Sequence, residues 1–280
     1  MSENPSMGGS VYAFAGGKGG VGKTATTANV AVALAEMGFD VAAVDVDLGM
    51  ANLGQTLGVR PEAGIHAVLA GDATLADVLR AGPAGVQVVP GGNRLQATTD
   101  ADPANLRAVV GPLRDAVDVV LLDTGAGISH QNLVAYGLSD GILLCTTADH
   151  VAVGDAGNTR DLAGHVDAPV VGTVVARVDG ETDVAALGER LGTDIVAAIP
   201  TYDRPDAPEP RVLEDPESPA AAEYRRLANT IAICHQTGDL RAAASEASED
   251  VAVAAGEDAD ADDDSRGVLG RLLGRLPGRD

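Results

Sequence analysis

The chain has 280 residues, a formal charge of −22 and a pI near 4.3, with 45% of its residues apolar and only 2% aromatic. That length suits one large α/β domain with a short appendage, and the charge opposes a nucleic-acid partner because phosphate contacts need clustered Lys and Arg. No run approaches the ~20 apolar residues of a membrane span, the first residues lack a leader pattern, and Cys145 and Cys234 stand far apart without zinc spacing, so two buried thiols in a cytoplasmic protein are expected.

Residues 1–9 read as a tail. Val11–Ala15 is then a short apolar run, residues 16–22 are rich in glycine, and Lys23 opens a stretch of Ala, Val and Leu that Gly38 ends. The pattern predicts strand, loop and helix in that order, the helix over 23–37. The loop reads Gly16-Gly17-Lys18-Gly19-Gly20-Val21-Gly22-Lys23-Thr24-Ala25. In this context it is a P-loop. Its glycines let successive backbone N–H groups face phosphates, and the helix start adds partial positive charge. Lys23 is placed to reach the β- and γ-phosphates and Thr24 to ligate Mg²⁺. The candidate nucleotide contacts are Gly17, Lys18, Gly19, Gly20, Val21, Gly22, Lys23, Thr24 and Ala25. The chain uses 17 arginines but only two lysines, both in this loop, where a compact ammonium is useful.

Further strands are expected near 41–45, 86–89, 118–122, 141–146, 170–175 and 195–199, and helices over 103–116, 129–137, 155–165, 183–191 and 219–236. Short apolar runs alternating with helix-length segments are the pattern of βαβ units. The expected fold is α/β, a mostly parallel central sheet flanked by helices in a Rossmann-like, three-layer P-loop arrangement. Val119–Leu122 is an apolar run ending in Asp123, the Walker B arrangement, in which the acid holds Mg²⁺ through water. Residues 200–219 carry six prolines and read as an extended loop before the last helix of a domain covering 10–238.

From Asp239 to Asp264 ten acids stand against Arg241, a charge of −9 that predicts a disordered linker over 239–265. Residues 266–280 then turn basic and rich in leucine. On a helical wheel Val268, Leu269, Leu272, Leu273 and Leu276 cover an arc of about 140°, with Arg266 at one edge and Arg271 and Arg275 at the other. A leucine stripe flanked by arginines fits a helix lying in a membrane surface, folded only when docked because four glycines fill its polar face. A helix that caps the domain's own core or docks on a protein is the alternative.

Lys18, five residues before Lys23, is the deviant Walker A lysine, and with Asp45-Val46-Asp47 and Asp123 the chain resembles the MinD/ParA superfamily over residues 11–237. The resemblance implies ATP and Mg²⁺ as cofactors and an ATP-dependent homodimer in which Lys18 of each subunit reaches the phosphates in its partner's site. A surface ion pair that only anchors the loop is the alternative reading of Lys18. By the same resemblance Lys18, Lys23 and Asp47 are catalytic, Asp47 positioning the attacking water. Thr24, Asp45 and Asp123 surround the Mg²⁺, the acids through water, and Arg177 and Pro200 lie beside the adenine. Two features depart from the family. Asp123-Thr124-Gly125-Ala126-Gly127 lacks the proline usual after the acid, which predicts a mobile switch II, and Ala176 stands where relatives often carry Asn.

The tail looks like the membrane-targeting helix of the MinD branch. The resemblance therefore implies an ATPase switch, cytoplasmic and peripheral on the inner face of the cell membrane. With a protein partner or activator it would position the division site or a motility or chemosensory apparatus. A soluble ParA-like partition ATPase binding DNA is the alternative. The acidic, lysine-poor composition resembles that of proteins from salt-loving archaea.

Overall fold

The computed structural model describes residues 8–60, 63–92, 101–202 and 208–260, with side chains to residue 254. β1 (Ser10–Gly16) is buried on both faces, as a strand inside a helix-covered parallel sheet must be. It leads through the glycine loop into α1 (Lys23–Glu36) and β2 (Val41–Asp45). Short helices α2 (Leu53–Thr56), α3 (Ile65–Ala70) and α4 (Leu75–Val78) precede β3 (Arg80–Ala81) and β4 (Gln87–Val89). A 3₁₀ turn at Pro103–Leu106 runs into α5 (Arg107–Ala116), followed by β5 (Val119–Ala126), α6 (His130–Gly137) and β6 (Gly141–Thr147). Then come α7 (His150–Gly164), β7 (Val170–Val178), α8 (Val184–Leu191) and β8 (Ile195–Pro200), and finally α9 (Arg211–Glu214), α10 (Pro219–Thr237) and α11 (Leu240–Asp260).

The strands form one sheet in the order β3-β4-β2-β5-β1-β6-β7-β8, in which only the β3–β4 pair is antiparallel. The expected α/β sheet with helices on both faces is therefore present. Alternate residues of β1 divide the core. Tyr12 and Phe14 pack toward α1 and α10, whereas Val11, Ala13 and Ala15 join the cluster built on α3, α5 and α6. Strand order reverses around β1, so the crevice beyond its carboxyl end is where a doubly wound sheet binds ligands.

All seven expected strands form, and β3 is an added two-residue edge. Helix α7 starts five residues before the expected 155 because the Asp149 carboxylate caps it, accepting the N–H groups of Val151 and Ala152.

The disordered linker expected for 239–265 is corrected over most of its length: residues 240–260 are helix α11. Gly238, in the left-handed conformation at φ 71°, ends α10 and turns the chain back. Ala243, Ala244, Ala247 and Val251 then fall on one face of α11, each at most 5% exposed, against β8, β7 and α10. Glu246, Glu249 and Asp250 point to solvent. Arg226 Nη1 donates to the Ala247 carbonyl at 3.2 Å. The physical reason for the miss is that net charge was read in place of periodicity. Alanine has the highest helix propensity and gives a narrow stripe that docks closely, here shielding the open edge strand β8. Residues 261–265 and the basic segment 266–280 lie outside the described residues.

The helix can be tested against the linker by one buried charge. Val251 packs in an apolar cluster with Val153, Val175 and Val184, while Val253 is 61% exposed. Val251→Asp is expected to lower the unfolding free energy in urea by at least about 2 kcal/mol, whereas Val253→Asp changes it by less than about 0.5 kcal/mol. Equal midpoints for the two variants would mean that α11 does not dock.

Candidate functional site

The loop after β1 is pressed against its neighbours. A Cβ on Gly17 would stand 2.5 Å from the Cβ and carbonyl of Asp155 in α7, so no larger residue fits there. Gly22 holds φ at 93° as the N-cap of α1, a conformation that L side chains avoid. Lys18, Gly19 and Gly20 are exposed at the tip of the loop, and Val21 anchors it in the core at 3% exposure. Thr24 and Ala25 are half-buried in the first turn of α1. Lys23 is 8% exposed, and its Nζ donates to the Lys18 carbonyl at 3.4 Å across the mouth of the loop. Arg177, expected beside the base, instead donates from Nη2 to the Gly20 carbonyl at 2.7 Å and braces the loop from the end of β7. Pro200 closes β8 on the same edge, three strands away from β1.

The Lys18 ammonium lies 3.4 Å from both oxygens of Asp149, and both side chains are about half exposed. Within one chain, then, Lys18 makes the anchoring ion pair that was the alternative reading. The Asp149 carboxyl is held down at about 2, first by the Ala152 N–H and then by the Thr147 hydroxyl, with Lys18 adding less.

Two carboxylates sit side by side on adjacent strands, Asp45 at the end of β2 in register with Asp123 within β5. Each is 1% exposed. Burial is the first cause raising both pKa values; their mutual charge adds to the rise at Asp45, and the Thr24 hydroxyl and Lys23 ammonium partly offset it at Asp123. Their hydrogen bonding differs. Asp45 Oδ1 accepts from the Asp47 N–H at 3.2 Å and Oδ2 from the Leu53 N–H at 3.0 Å, so Asp45, expected near the Mg²⁺ shell, is engaged in shaping the loop that follows β2. Among the described residues neither oxygen of Asp123 has a hydrogen-bond partner of ordinary geometry, although the Thr24 and Thr27 hydroxyls lie near enough to lower its pKa. A buried, unpartnered carboxylate beside Thr24 and Lys23 is the donor set that a hydrated Mg²⁺ ion fits, since that ion takes oxygen ligands and keeps most of its water.

Asp47 lies on a tight turn, its Oδ1 accepting from the N–H groups of Gly49 at 3.1 Å and Met50 at 2.9 Å. It reaches over to switch II, where a Cβ on Gly125 would lie 3.3 Å from Asp47 Oδ1. Switch II, expected to be more mobile for having Gly125 and Gly127, is held by hydrogen bonds in this structure. Asn132 Nδ2 donates to both of their carbonyls, at 3.1 and 2.7 Å, and the Gly127 N–H donates to the Gly16 carbonyl at 3.2 Å. Gln131 Nε2 bonds the Val46 carbonyl beside Asp47. Nothing in a single sequence singles out Gln131, Asn132 or Asp149, whose partners lie up to 131 positions away.

Residues 12–204 match the CobQ/CobB/MinD/ParA nucleotide binding domain. An uncharacterized ATP-binding protein of Methanocaldococcus jannaschii is 34% identical over 77% of this chain and 85% of its own length. Among solved structures, the Pyrococcus furiosus cell division ATPase MinD superposes with a TM-score of 0.75 at 32% identity, over 80% of this chain and 98% of that one. The septum site-determining protein MinD of Pyrococcus horikoshii, complexed with Mg-ADP, gives 0.74 at 31% identity over 79% and 95%.

The unpartnered carboxylate has a measurable consequence. Because its pKa is raised, the Asp123 charge destabilises the nucleotide-free fold at high pH; the cost is absent below the ordinary carboxylate range and complete above the raised value. Asp123→Asn is expected to stabilise the nucleotide-free protein by about 1–3 kcal/mol in mildly alkaline buffer, with the gain vanishing in acid. Urea unfolding across that pH range checks it, and a difference independent of pH would remove Asp123 as the uncompensated charge.

Proposed function

The chain belongs to the CobQ/CobB/MinD/ParA nucleotide-binding family, and on that footing we propose that it is a Mg²⁺-dependent ATPase switch that dimerises on ATP and positions cellular machinery at a membrane surface. The observation that carries the reading is the meeting of the glycine loop, its two lysines and the unpartnered Asp123 at the reversal of strand order.

The loop N–H groups, the start of α1 and Lys23 hold the triphosphate. Thr24 and Asp123 hold the magnesium, which when bound neutralises charge on the phosphates. Asp47, one residue past Val46 at the exit of β2, orients the attacking water. Lys18 is free to act in a partner's site because an exposed ion pair holds it weakly, so exchanging Asp149 for a phosphate of the facing subunit costs little. Arg177 and the chain around Pro200 remain the nearest candidates for the base, Arg177 by way of its grip on the loop.

Among the described residues no helix is long and apolar enough to cross a membrane. Attachment is assigned to 266–280, lying in the surface as an amphipathic helix. A nine-residue helix over 268–276 is about 13.5 Å long, too little for one tail to hold. Two tails joined by ATP gain avidity of about 10²-fold or more, so nucleotide state sets membrane residence. The positioning role follows solved relatives named for cell division and septum site determination. DNA partitioning is opposed by the charge of −22.

Lys23→Ala is expected to abolish ATP binding. Truncation after Asp264 is expected to leave ATP binding intact while removing ATP-dependent flotation with anionic liposomes. Unchanged ATP affinity in the first variant sinks the site, and undiminished flotation in the second sinks the membrane role alone.

A further inference from the structure

The first turn of α6 touches both the loop after β2 that carries Asp47, here switch I, and the Gly125–Gly127 turn of switch II, and that contact belongs to no part of the P-loop chemistry. Ser129 caps the helix by accepting the Asn132 N–H at 3.1 Å; His130 is exposed, and Gln131 and Asn132 after it face the site. Asn132 is fully buried. Its amide orientation is fixed by its partners, since the carbonyls of Gly125 and Gly127 are both acceptors and only Nδ2 can serve them. Gln131, half-buried, sends Nε2 to the carbonyl of Val46, and a Cβ on Gly125 would meet that same Nε2 at 3.6 Å. Asp47, Gly125 and Gln131 therefore occupy one small contact region.

We propose that Gln131 and Asn132 are positioning residues for hydrolysis: together they lock switch I to switch II and thereby set where the Asp47 carboxylate stands. Gln131 fixes the peptide that carries Asp47. Asn132 fixes the glycine turn on which that carboxylate rests, doing by hydrogen bonds what a proline after Asp123 would do by ring stiffness. Between β2 and β5 the exits are already joined by one backbone bond, from the Val46 N–H to the Asp123 carbonyl at 2.8 Å. The two amides complete a closed frame in which neither loop moves without the other. The inference rests on Asp47 serving hydrolysis as proposed above.

The test is single-turnover hydrolysis of bound ATP in the full-length protein, with ATP affinity measured separately. Gln131→Met keeps the side-chain length and removes the donor; Asn132→Asp keeps the shape and turns a donor into an acceptor. Each is expected to slow hydrolysis about 10- to 100-fold with ATP affinity unchanged, the size of effect that a displaced catalytic group produces. Because the pair acts through Asp47, Gln131→Met added to Asp47→Ala should cause no further loss. Normal turnover in Gln131→Met, which is half-buried and tolerant of replacement, overturns the proposal if Asp47→Ala is slow. Losses that persist undiminished in the Asp47→Ala background overturn it as well, by showing a structural effect. An Asp47→Ala protein that hydrolyses ATP at the normal rate removes both this inference and the role of Asp47 on which it depends.

Discussion

Two carboxylates placed out of water side by side on neighbouring strands set the terms for the rest of the site. Asp45 and Asp123 are in register on β2 and β5; burial raises both pKa values, the Asp123 charge adds to the rise at Asp45, and the Asp47 charge adds to the rise at Asp123. The fold resolves the conflict asymmetrically. It gives Asp45 two backbone N–H donors, from Asp47 and Leu53, and so converts one charge into the staple that bends the chain after β2. Among the described residues it gives Asp123 none, and the Thr24 hydroxyl, the Lys23 ammonium and the Thr27 hydroxyl offset its burial only in part. Two residues of one type at the same height on adjacent strands thus do different work. The unsatisfied member supplies a standing free-energy gain for whatever cation and phosphate fill the crevice, and ligand binding to the folded state is stabilised accordingly.

That gain would not reach far if each loop were free-standing. Here the loops at the carboxyl edge are sewn together through the main chain. The Thr124 hydroxyl donates to the Phe14 carbonyl, the Gly127 N–H to Gly16, the Val46 N–H to Asp123, and Arg177 to Gly20. Each bond joins the exit of one strand to the exit of another. A phosphate drawn against the N–H groups of the glycine loop therefore bears on both switch loops through short, directional contacts. This is the structural requirement for a nucleotide to act as a switch and not only as a ligand.

Much of this was legible in sequence for physical reasons that can be named. A strand buried on both faces needs a continuous apolar run, and Val41–Val44, Val119–Leu122 and Ile142–Cys145 could not be mistaken for surface. The glycine loop was legible because close approach and positive φ exclude other residues, so its chemistry is written in residue type. The asymmetry between Asp45 and Asp123 was not legible: both close an apolar strand, and what separates them is an N–H of Leu53, eight positions past Asp45 in a short helix without a strong signal. Gln131 escapes for a related reason, since a side-chain amide bonded to a carbonyl 85 positions away leaves no local pattern, whereas Asn132 bonds carbonyls five and seven residues back in an irregular turn that has no fixed sequence signature. The acidic charge of α11 hides its helical pattern, because its six acids stand against a single arginine and its apolar residues are mostly small alanines, although the spacing of Ala243, Ala247 and Val251 is already helical.

The corrected α11 changes how the proposed attachment has to work. His235 near the end of α10 bonds Ser10 at the start of β1, which places the turn at Gly238 on the edge of the sheet opposite the glycine loop. From there α11 runs back, first past the starts of β7 and β8 and then to Val251, which packs beside Val153 in the first turn of α7 and Val184 in that of α8. Its 21 residues rise about 31.5 Å, enough to return the chain to the nucleotide edge. Only residues 261–265 then separate the end of α11 from the basic segment. A long flexible linker would let each tail search widely and would dilute one tail with respect to the other. A rigid helix followed by a short connection does the opposite. On the proposed function, α11 ends toward the nucleotide edge, so that pairing two such edges would also bring the two basic segments toward each other. Glu246, Glu249 and Asp250 on the outer face of α11 repel an anionic surface, so within the proposed function attachment falls to the arginine-flanked leucines and not to α11.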